Sequence, residues 1–241
     1  MLKQLAPRTW LAHHLLESGE RFFVVLSNAS DAKPLDAWRS TAAGMPPQPI
    51  WAGTAYAEWN EVMPYVAIIE PDSPFLDWIA TTESTDWGWL AVSSSSLETV
   101  VAHLQGLTKV YLPDHQEVFL RFWDGAQFLS MLQALGDAAS TVLPVFQRYL
   151  INGQPLTVAP GPMTEAKASP WWRVPAPVLK HLAEQSPQTL IDNLLQRLEE
   201  QRPDLYTAFP PATLRHKVAY FARGADISDD ALASALASDS A

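Results

Sequence analysis

The chain has no cysteine among its 241 residues. This absence excludes disulfides, thiolate zinc sites and thiol catalysis, and it is typical of proteins kept in a reducing cytosol. Only ten glycines are present, and they form neither a Walker loop nor a dinucleotide-binding loop. No His-x-x-x-His spacing is present for zinc either. The sequence therefore predicts no metal and no other cofactor.

Long apolar runs and basic clusters are also missing. No apolar run approaches the roughly 18 residues that a membrane-spanning helix needs, and Pro7, Arg8 and His13 interrupt the first twenty residues, which predict no signal peptide. The 16 basic and 26 acidic residues leave a net charge of −10, which repels a phosphate backbone. We therefore expect a cytoplasmic protein that binds neither membranes nor nucleic acids.

Strands and helices alternate over the first part of the chain. Apolar runs predict strands at 21–27, 65–70, 87–93, 109–112 and 118–123. A helix follows the third strand, with Ser95 and Glu98 at capping-box spacing and Gly106 at a left-handed C-cap position. Asp124 has the position of an N-cap for the next helix, which Gly136 ends. This alternation predicts an α/β N-terminal lobe with a mixed sheet over residues 1–150.

The composition changes after residue 150. Six of the twenty prolines lie between residues 152 and 177, so residues 151–177 are interpreted as a connecting segment, either a linker or an ordered extended stretch. Ser186-Pro187, Pro211 and Ser228 then have the positions of helix starts, and Gly224 that of a helix end. Apolar stripes at 190–198 and 214–221 predict a bundle core. Residues 178–241 are therefore expected to form a small all-α C-terminal lobe.

The densest pattern lies between residues 87 and 124. Trp87-Gly88 opens a strand, a serine-capped helix follows, and a hairpin then leads into Arg121-Phe122-Trp123-Asp124. This arrangement resembles the core of the type VI secretion adaptor chaperones, the Tap or Tec proteins, which share a domain long catalogued as of unknown function. The likeness extends from Phe22 to about Phe146. One departure is that Gly125-Ala126 follows Asp124, where the family often continues with proline and arginine.

The resemblance implies a function as well as a fold. Members of this family are implied to bind one toxic effector in the cytosol and to help load it onto the VgrG spike, sometimes with a PAAR-tip protein. They are not known as enzymes. Within the motif, Trp87, Gly88, Arg121, Phe122 and Asp124 are expected to be structural. We expect Arg121 to form an internal ion pair, with Asp124 as a candidate partner, because a half-buried arginine normally needs a carboxylate.

Trp171-Trp172-Arg173 is the most conspicuous feature outside this core. Two indoles and a guanidinium on a proline-flanked loop match the composition of binding hot spots, so these three residues are candidates for partner binding. The alternative is that the tryptophans fasten the connecting segment to the N-terminal lobe. The sequence leaves both interpretations open.

The leading hypothesis is a non-enzymatic adaptor chaperone whose two lobes clasp a segment of one effector. An immunity-type protein that blocks a toxin is an alternative with the same binding logic. A small α/β hydrolase or transferase is a further one, and Asp124 and His103 would be its first residues to test. The sequence contains no recognisable acid–base pair or nucleophile motif. The serines at 93–96 lack a nucleophile elbow and are explained by helix capping.

Overall fold

The computed structural model describes residues 4–41, 44–159, 161–162, 164–185, 187–222 and 229–239. The chain divides into two compact units, Met1–Val178 and Leu179–Ala241. The first contains both sheets, and the helices of the second form a core of their own. The predicted α/β N-terminal lobe and all-α C-terminal lobe are confirmed.

Eight strands are described in the first unit. They are β1 (Arg21–Ser27), β2 (Gln48–Pro49), β3 (Pro64–Ile68), β4 (Gly88–Ser93), β5 (Lys109–Tyr111), β6 (Glu117–Phe119), β7 (Arg148–Ile151) and β8 (Gln154–Thr157). Six of them form one sheet in the order β2-β3-β1-β4-β7-β8, and β5 pairs with β6 in a separate hairpin. The large sheet continues to Thr157. The first unit ends at Val178, so it contains the whole of the proline-rich segment 151–177, which the sequence set apart as a connection.

Strand direction in the large sheet differs in detail from the mixed arrangement that the sequence predicted. Each described pairing is antiparallel, with Val24 of β1 opposite Ala67 of β3 and Leu90 of β4. A crossover connects β3 to β4, which run in the same direction, but β1 lies between them. A parallel pairing occurs outside the named strands, as a bridge between Tyr111 and Arg173.

Six α-helices of the first unit lie along the chain between or before the strands. They are α1 (Pro7–His13), α2 (Pro34–Ser40), α3 (Phe75–Thr81), α4 (Leu97–Gly106), α5 (Gly125–Leu135) and α6 (Ala139–Val142), the last preceded by a 3₁₀ turn at Gly136–Ala138. A seventh, α7 (Ala176–Gln185), crosses the boundary between the units.

The central strands are apolar on both faces because both faces are covered. Phe22, Val24 and Leu26 of β1 share one buried cluster with residues of α1, α2 and α3. On the other face, Trp89 of β4 stacks on Phe128 of α5, with ring centroids 4.6 Å apart. The first unit is therefore layered, with a sheet between helices, as strands without polar alternation require.

The second unit contains α8 (Pro187–Gln201), α9 (Pro203–Thr207), α10 (Pro211–Phe221) and α11 (Asp229–Asp239). Its core is formed by Ile191, Leu194, Leu198, Leu205, Leu214, Val218, Leu232 and Leu236. The predicted helix-boundary residues Ser186, Gly224 and Ser228 lie outside the described residues, as does the side chain of Leu190.

Candidate partner-binding site

The tryptophan strand and the aromatic end of the hairpin meet at one point. The indole Nε1 of Trp89 donates a hydrogen bond of 2.6 Å to the carbonyl oxygen of Phe122, which is itself 1% exposed. Trp87, two positions earlier, turns to the opposite face and packs against Trp78. The motif that carried the resemblance is thus a junction that fixes the hairpin against the sheet.

Two glycines allow this junction to close. Gly88 has a φ of +140°, and a Cβ added to it would lie 2.0 Å from the Val25 carbonyl oxygen. A Cβ on Gly125 would lie 2.4 Å from the Gly88 carbonyl oxygen. Both separations are far below van der Waals contact, so backbone approaches backbone where no side chain fits. The glycine that follows Asp124, a departure from the resembled family, therefore has a packing reason.

Asp124 begins helix α5 as the sequence predicted. Its carboxylate accepts hydrogen bonds from the backbone N–H groups of Ala126 and Gln127, at 3.0 and 3.2 Å. The predicted ion pair is also present, since Arg121 Nη2 lies 3.0 Å from Asp124 Oδ2. Burial raises the pKa of Asp124, while the helix N–H groups and Arg121 oppose that rise. The surroundings of Asp124 are those of a buried helix cap.

A segment of residues 164–174 lies along helix α4 and the hairpin. Tyr111 donates its N–H to the Trp172 carbonyl and accepts from the N–H of Val174, both at 2.8 Å. The Ser169 hydroxyl accepts from the N–H of Lys109 at 2.8 Å and donates to its carbonyl at 3.1 Å. The segment therefore adds a short third strand to β5, on the side opposite β6.

Gly106 provides a second attachment, and it corrects the sequence prediction for this residue. Gly106 lies inside helix α4 and is not a left-handed cap, since Leu107 is the C-cap with a φ of −97°. A Cβ at Gly106 would lie 2.4 Å from the Lys167 carbonyl oxygen. Glycine is needed at 106 because the backbone of the 164–174 segment approaches the helix too closely there for a side chain. The N-cap of the same helix is Ser96, one residue later than predicted.

Trp171, Trp172 and Arg173 belong to this attached segment. Trp171 is half-buried, and the Lys167 ammonium lies 4.5 Å from its ring centroid. The guanidinium nitrogens of Arg173 lie 2.9 and 3.1 Å from the ring nitrogens of His115 in the hairpin turn. These contacts are those of a segment fastened to the N-terminal lobe. Partner binding by the three side chains stays a prediction.

A different cluster is open to solvent. We define the aromatic patch as Trp51, Tyr56, Trp59, Phe119 and Trp123, whose rings form a connected set with centroid separations of 5.0 to 6.3 Å. Trp51 and Trp123 are buried at its base, whereas Tyr56 and Phe119 are half-buried. Trp59 is 47% exposed at its outer side.

The charges around the aromatic patch divide into two groups. The Lys109 ammonium lies 5.5 Å from the Phe119 ring centroid and 3.6 Å from the Glu117 carboxylate, so it is engaged within the patch. Glu58 and Glu61, on either side of Trp59, are exposed. An exposed indole beside half-buried rings and flanking carboxylates is suited to an apolar segment that carries a basic side chain.

Sequence reasoning did not find the aromatic patch. Its members come from two parts of the chain, residues 51–59 and 119–123, which the folded structure brings together. The abundance of tryptophan, with ten copies, was the available signal, but composition alone does not indicate which indoles remain exposed.

The described residues offer little for other chemistries. No group of three or more His, Asp or Glu side chains in that part of the chain is placed to hold a metal ion. His103 lies within helix α4 and is 6% exposed. Burial lowers its pKa, against the opposing effect of a hydrogen bond to the Thr164 backbone. None of the helices within the described ranges is both long and apolar enough to cross a membrane.

Comparison with known proteins gives a match that covers just under half of the chain and lies within the first unit. Residues 22–141 match the model of a family described as a domain of unknown function, DUF4123. No curated protein and no solved structure matches the chain. The matched range contains the whole junction from Trp87 to Asp124 and the whole aromatic patch. The part of the chain that carried the sequence resemblance is therefore the part that the family model covers.

Proposed function

We propose that the protein is a cytosolic, non-enzymatic adaptor chaperone of the type VI secretion system, which binds one effector and helps to load it onto the VgrG spike. The observation that carries the proposal is the match of residues 22–141 to the DUF4123 model. It supports the proposal because the adaptor chaperones that the motif resembles share a domain long catalogued as of unknown function. The Trp87–Gly88 strand and the Arg121–Asp124 turn, on which the resemblance rests, lie inside that range.

The aromatic patch supports a binding role and suggests where the effector is held. A chaperone must cover apolar surface of its cargo, and exposed aromatic side chains provide large contact areas at a small entropic cost. Trp59 is exposed beside two half-buried rings, and the buried indole of Trp51 packs against it. We propose this patch as the effector contact and leave the spike contact to other surfaces.

The proposal is tested by expressing the tagged chain together with the toxin that is encoded beside its gene. The two proteins should purify as a complex, and Trp59→Ser should weaken that complex at least tenfold, since hot-spot truncations cost roughly 2 kcal/mol or more. Tyr220→Ser is the matched control, because Tyr220 is an aromatic residue of the second unit and 80% exposed. It should bind like the wild type.

The outcomes separate the hypotheses. A toxin that is soluble and secreted normally in a strain lacking this chain would contradict the chaperone proposal. Rescue of toxin-expressing cells by this chain alone would indicate the immunity-type alternative. Turnover of a small molecule by the purified chain, lost on Asp124→Asn or His103→Ala with folding intact, would support the hydrolase alternative.

A further inference from the structure

The hairpin beside the aromatic patch has one covered edge and one open edge. Leu120 donates its N–H to the Thr108 carbonyl, and Leu112 donates to the Gln116 carbonyl. Hydrogen-bonded pairs alternate along an antiparallel ladder, so Val110 and Val118 form the bonded pair between these two. The N–H and C=O groups of Glu117 and Phe119 must then point away from β5.

The same alternation is visible on β5. Lys109 and Tyr111 occupy the positions opposite Phe119 and Glu117, and their N–H and C=O groups point away from β6. Those groups are bonded to the 164–174 segment. On β6, by contrast, no backbone hydrogen bond within the described ranges uses Glu117 or Phe119. The chain has thus covered one edge of the hairpin and left the other open.

Side chains at this open edge point to the kind of partner. Phe119 belongs to both β6 and the aromatic patch, so the edge and the patch are continuous. Glu58 and Glu61 are exposed and lie one and two positions from Trp59 in the sequence, and Trp59 contacts Phe119. An unpaired strand edge next to an exposed aromatic surface is suited to binding an extended peptide by strand addition.

We propose that β6 takes up an extended segment of the effector as an added strand. The outward N–H and C=O groups of Glu117 and Phe119 bond to its backbone. One of its apolar side chains packs on Trp59 and Phe119, and a basic side chain pairs with Glu58 or Glu61. This inference rests on the proposed function and specifies how the effector is recognised.

Substitution of Glu117 tests the hydrogen bonds of the edge. Proline at 117 removes an N–H that the hairpin does not use, so Glu117→Pro should remain folded while it blocks strand addition. We expect it to weaken the complex with the co-encoded toxin at least tenfold. Glu117→Thr is the matched control, because it removes the same carboxylate but keeps the N–H, and it should bind within about threefold of the wild type.

Hydrogen exchange on the wild-type chain keeps the test valid if the proline variant does not fold. The amides of Glu117 and Phe119 should exchange quickly in the free chain and at least tenfold more slowly in the complex, whereas the Val118 amide should be protected in both. A double charge reversal, Glu58→Lys with Glu61→Lys, should weaken the complex about tenfold. Reversal of the exposed acids Asp31 and Glu70 serves as its control.

The results distinguish this inference from the proposed function. If the toxin binds, but Glu117→Pro binds as tightly as Glu117→Thr and the two amides exchange equally fast with and without toxin, strand addition is wrong and the adaptor function stands. If the wild-type chain does not bind the toxin, the proposed function fails and the inference fails with it.

Discussion

Gly88 combines a left-handed backbone with the tightest contact found for any described glycine. A Cβ there would lie 2.0 Å from the Val25 carbonyl oxygen in the neighbouring strand. Alanine must therefore separate β1 from β4 or distort both, and we expect Gly88→Ala to lower the free energy of unfolding by about 3 kcal/mol or more. The measurement is chemical denaturation followed by circular dichroism.

Gly136→Ala is the control for that experiment. Gly136 also has a positive φ, +53°, but a Cβ there would meet no atom within 4 Å. Its ψ of −129° places it in a backbone region that residues with a Cβ rarely adopt, so alanine should cost about 1 to 3 kcal/mol for the conformation alone. Equal losses in the two variants would show that the contact with Val25 does not matter.

Asp124 is the residue for which the sequence was most informative. Its cap and its pair with Arg121 were both predicted from spacing, because both are local interactions across three residues. We expect Asp124→Ala to cost about 1 to 2 kcal/mol of stability, since it removes the N-cap. Asp124→Asn keeps an acceptor for the same N–H groups and should lose clearly less. Identical unfolding midpoints for the two variants would contradict a capping role.

His103 makes stability depend on pH. Burial lowers the pKa of His103 in the folded chain below the ordinary 6.5. Between this folded-state pKa and the pKa of 6.5 in the unfolded chain, the unfolded chain therefore binds more protons than the folded one. The free energy of unfolding should therefore fall as the pH is lowered through 6.5. His103→Gln should reduce this loss, whereas His216→Gln, which changes an exposed histidine, should not. Chemical denaturation at several pH values would measure how the free energy of unfolding changes with pH in each variant.

At the scale of elements, the sequence predicted what depends on local pattern. The strand at 21–27 was predicted to the residue, and helix α5 was bounded correctly by Asp124 and Gly136. Helix α2 was not predicted, because it has only seven residues and begins at Pro34 within a polar stretch. Strand β8 was missed because Pro155 argues against a central strand, whereas β8 is an edge strand, where proline is tolerated.

The attachment of residues 164–174 to helix α4 gives an element-scale prediction. Alanine at 106 would place a methyl group 2.4 Å from the Lys167 carbonyl while it favours the helix itself. Gly106→Ala should therefore leave α4 intact and loosen the segment. The Val174 amide donates to the Tyr111 carbonyl, and the Tyr111 amide donates to the Trp172 carbonyl. We expect both amides to exchange faster in the variant. Unchanged exchange at both amides would show that the segment is held without this contact.

At the scale of the whole molecule, the aromatic patch shows what sequence reasoning could not reach. Trp51 and Trp123 are 72 positions apart, yet their ring centroids are 5.1 Å apart. No periodicity links such positions, because the contact depends on how loop 50–63 and the hairpin pack after the sheet has formed. The Trp171-Trp172 pair, by contrast, is visible as a motif because its two members are neighbours in the sequence.

The two units offer a last prediction, since each has its own buried core. All ten tryptophans lie at or before Trp172, within the unit Met1–Val178. Tryptophan fluorescence therefore reports the first unit, whereas far-UV circular dichroism reports the helices of both. Leu194 is fully buried in the core of the second unit, and Leu194→Ala should cost that unit about 2 to 5 kcal/mol.

In the Leu194→Ala variant, the dichroism should begin to fall at a lower denaturant concentration than the fluorescence, because the helical unit unfolds first. Leu104→Ala is the matched control, since Leu104 is equally buried but belongs to α4 of the first unit. It should move the fluorescence transition instead. If both signals shift together in both variants, the two cores unfold as one cooperative unit, and the expectation of two separate transitions is wrong.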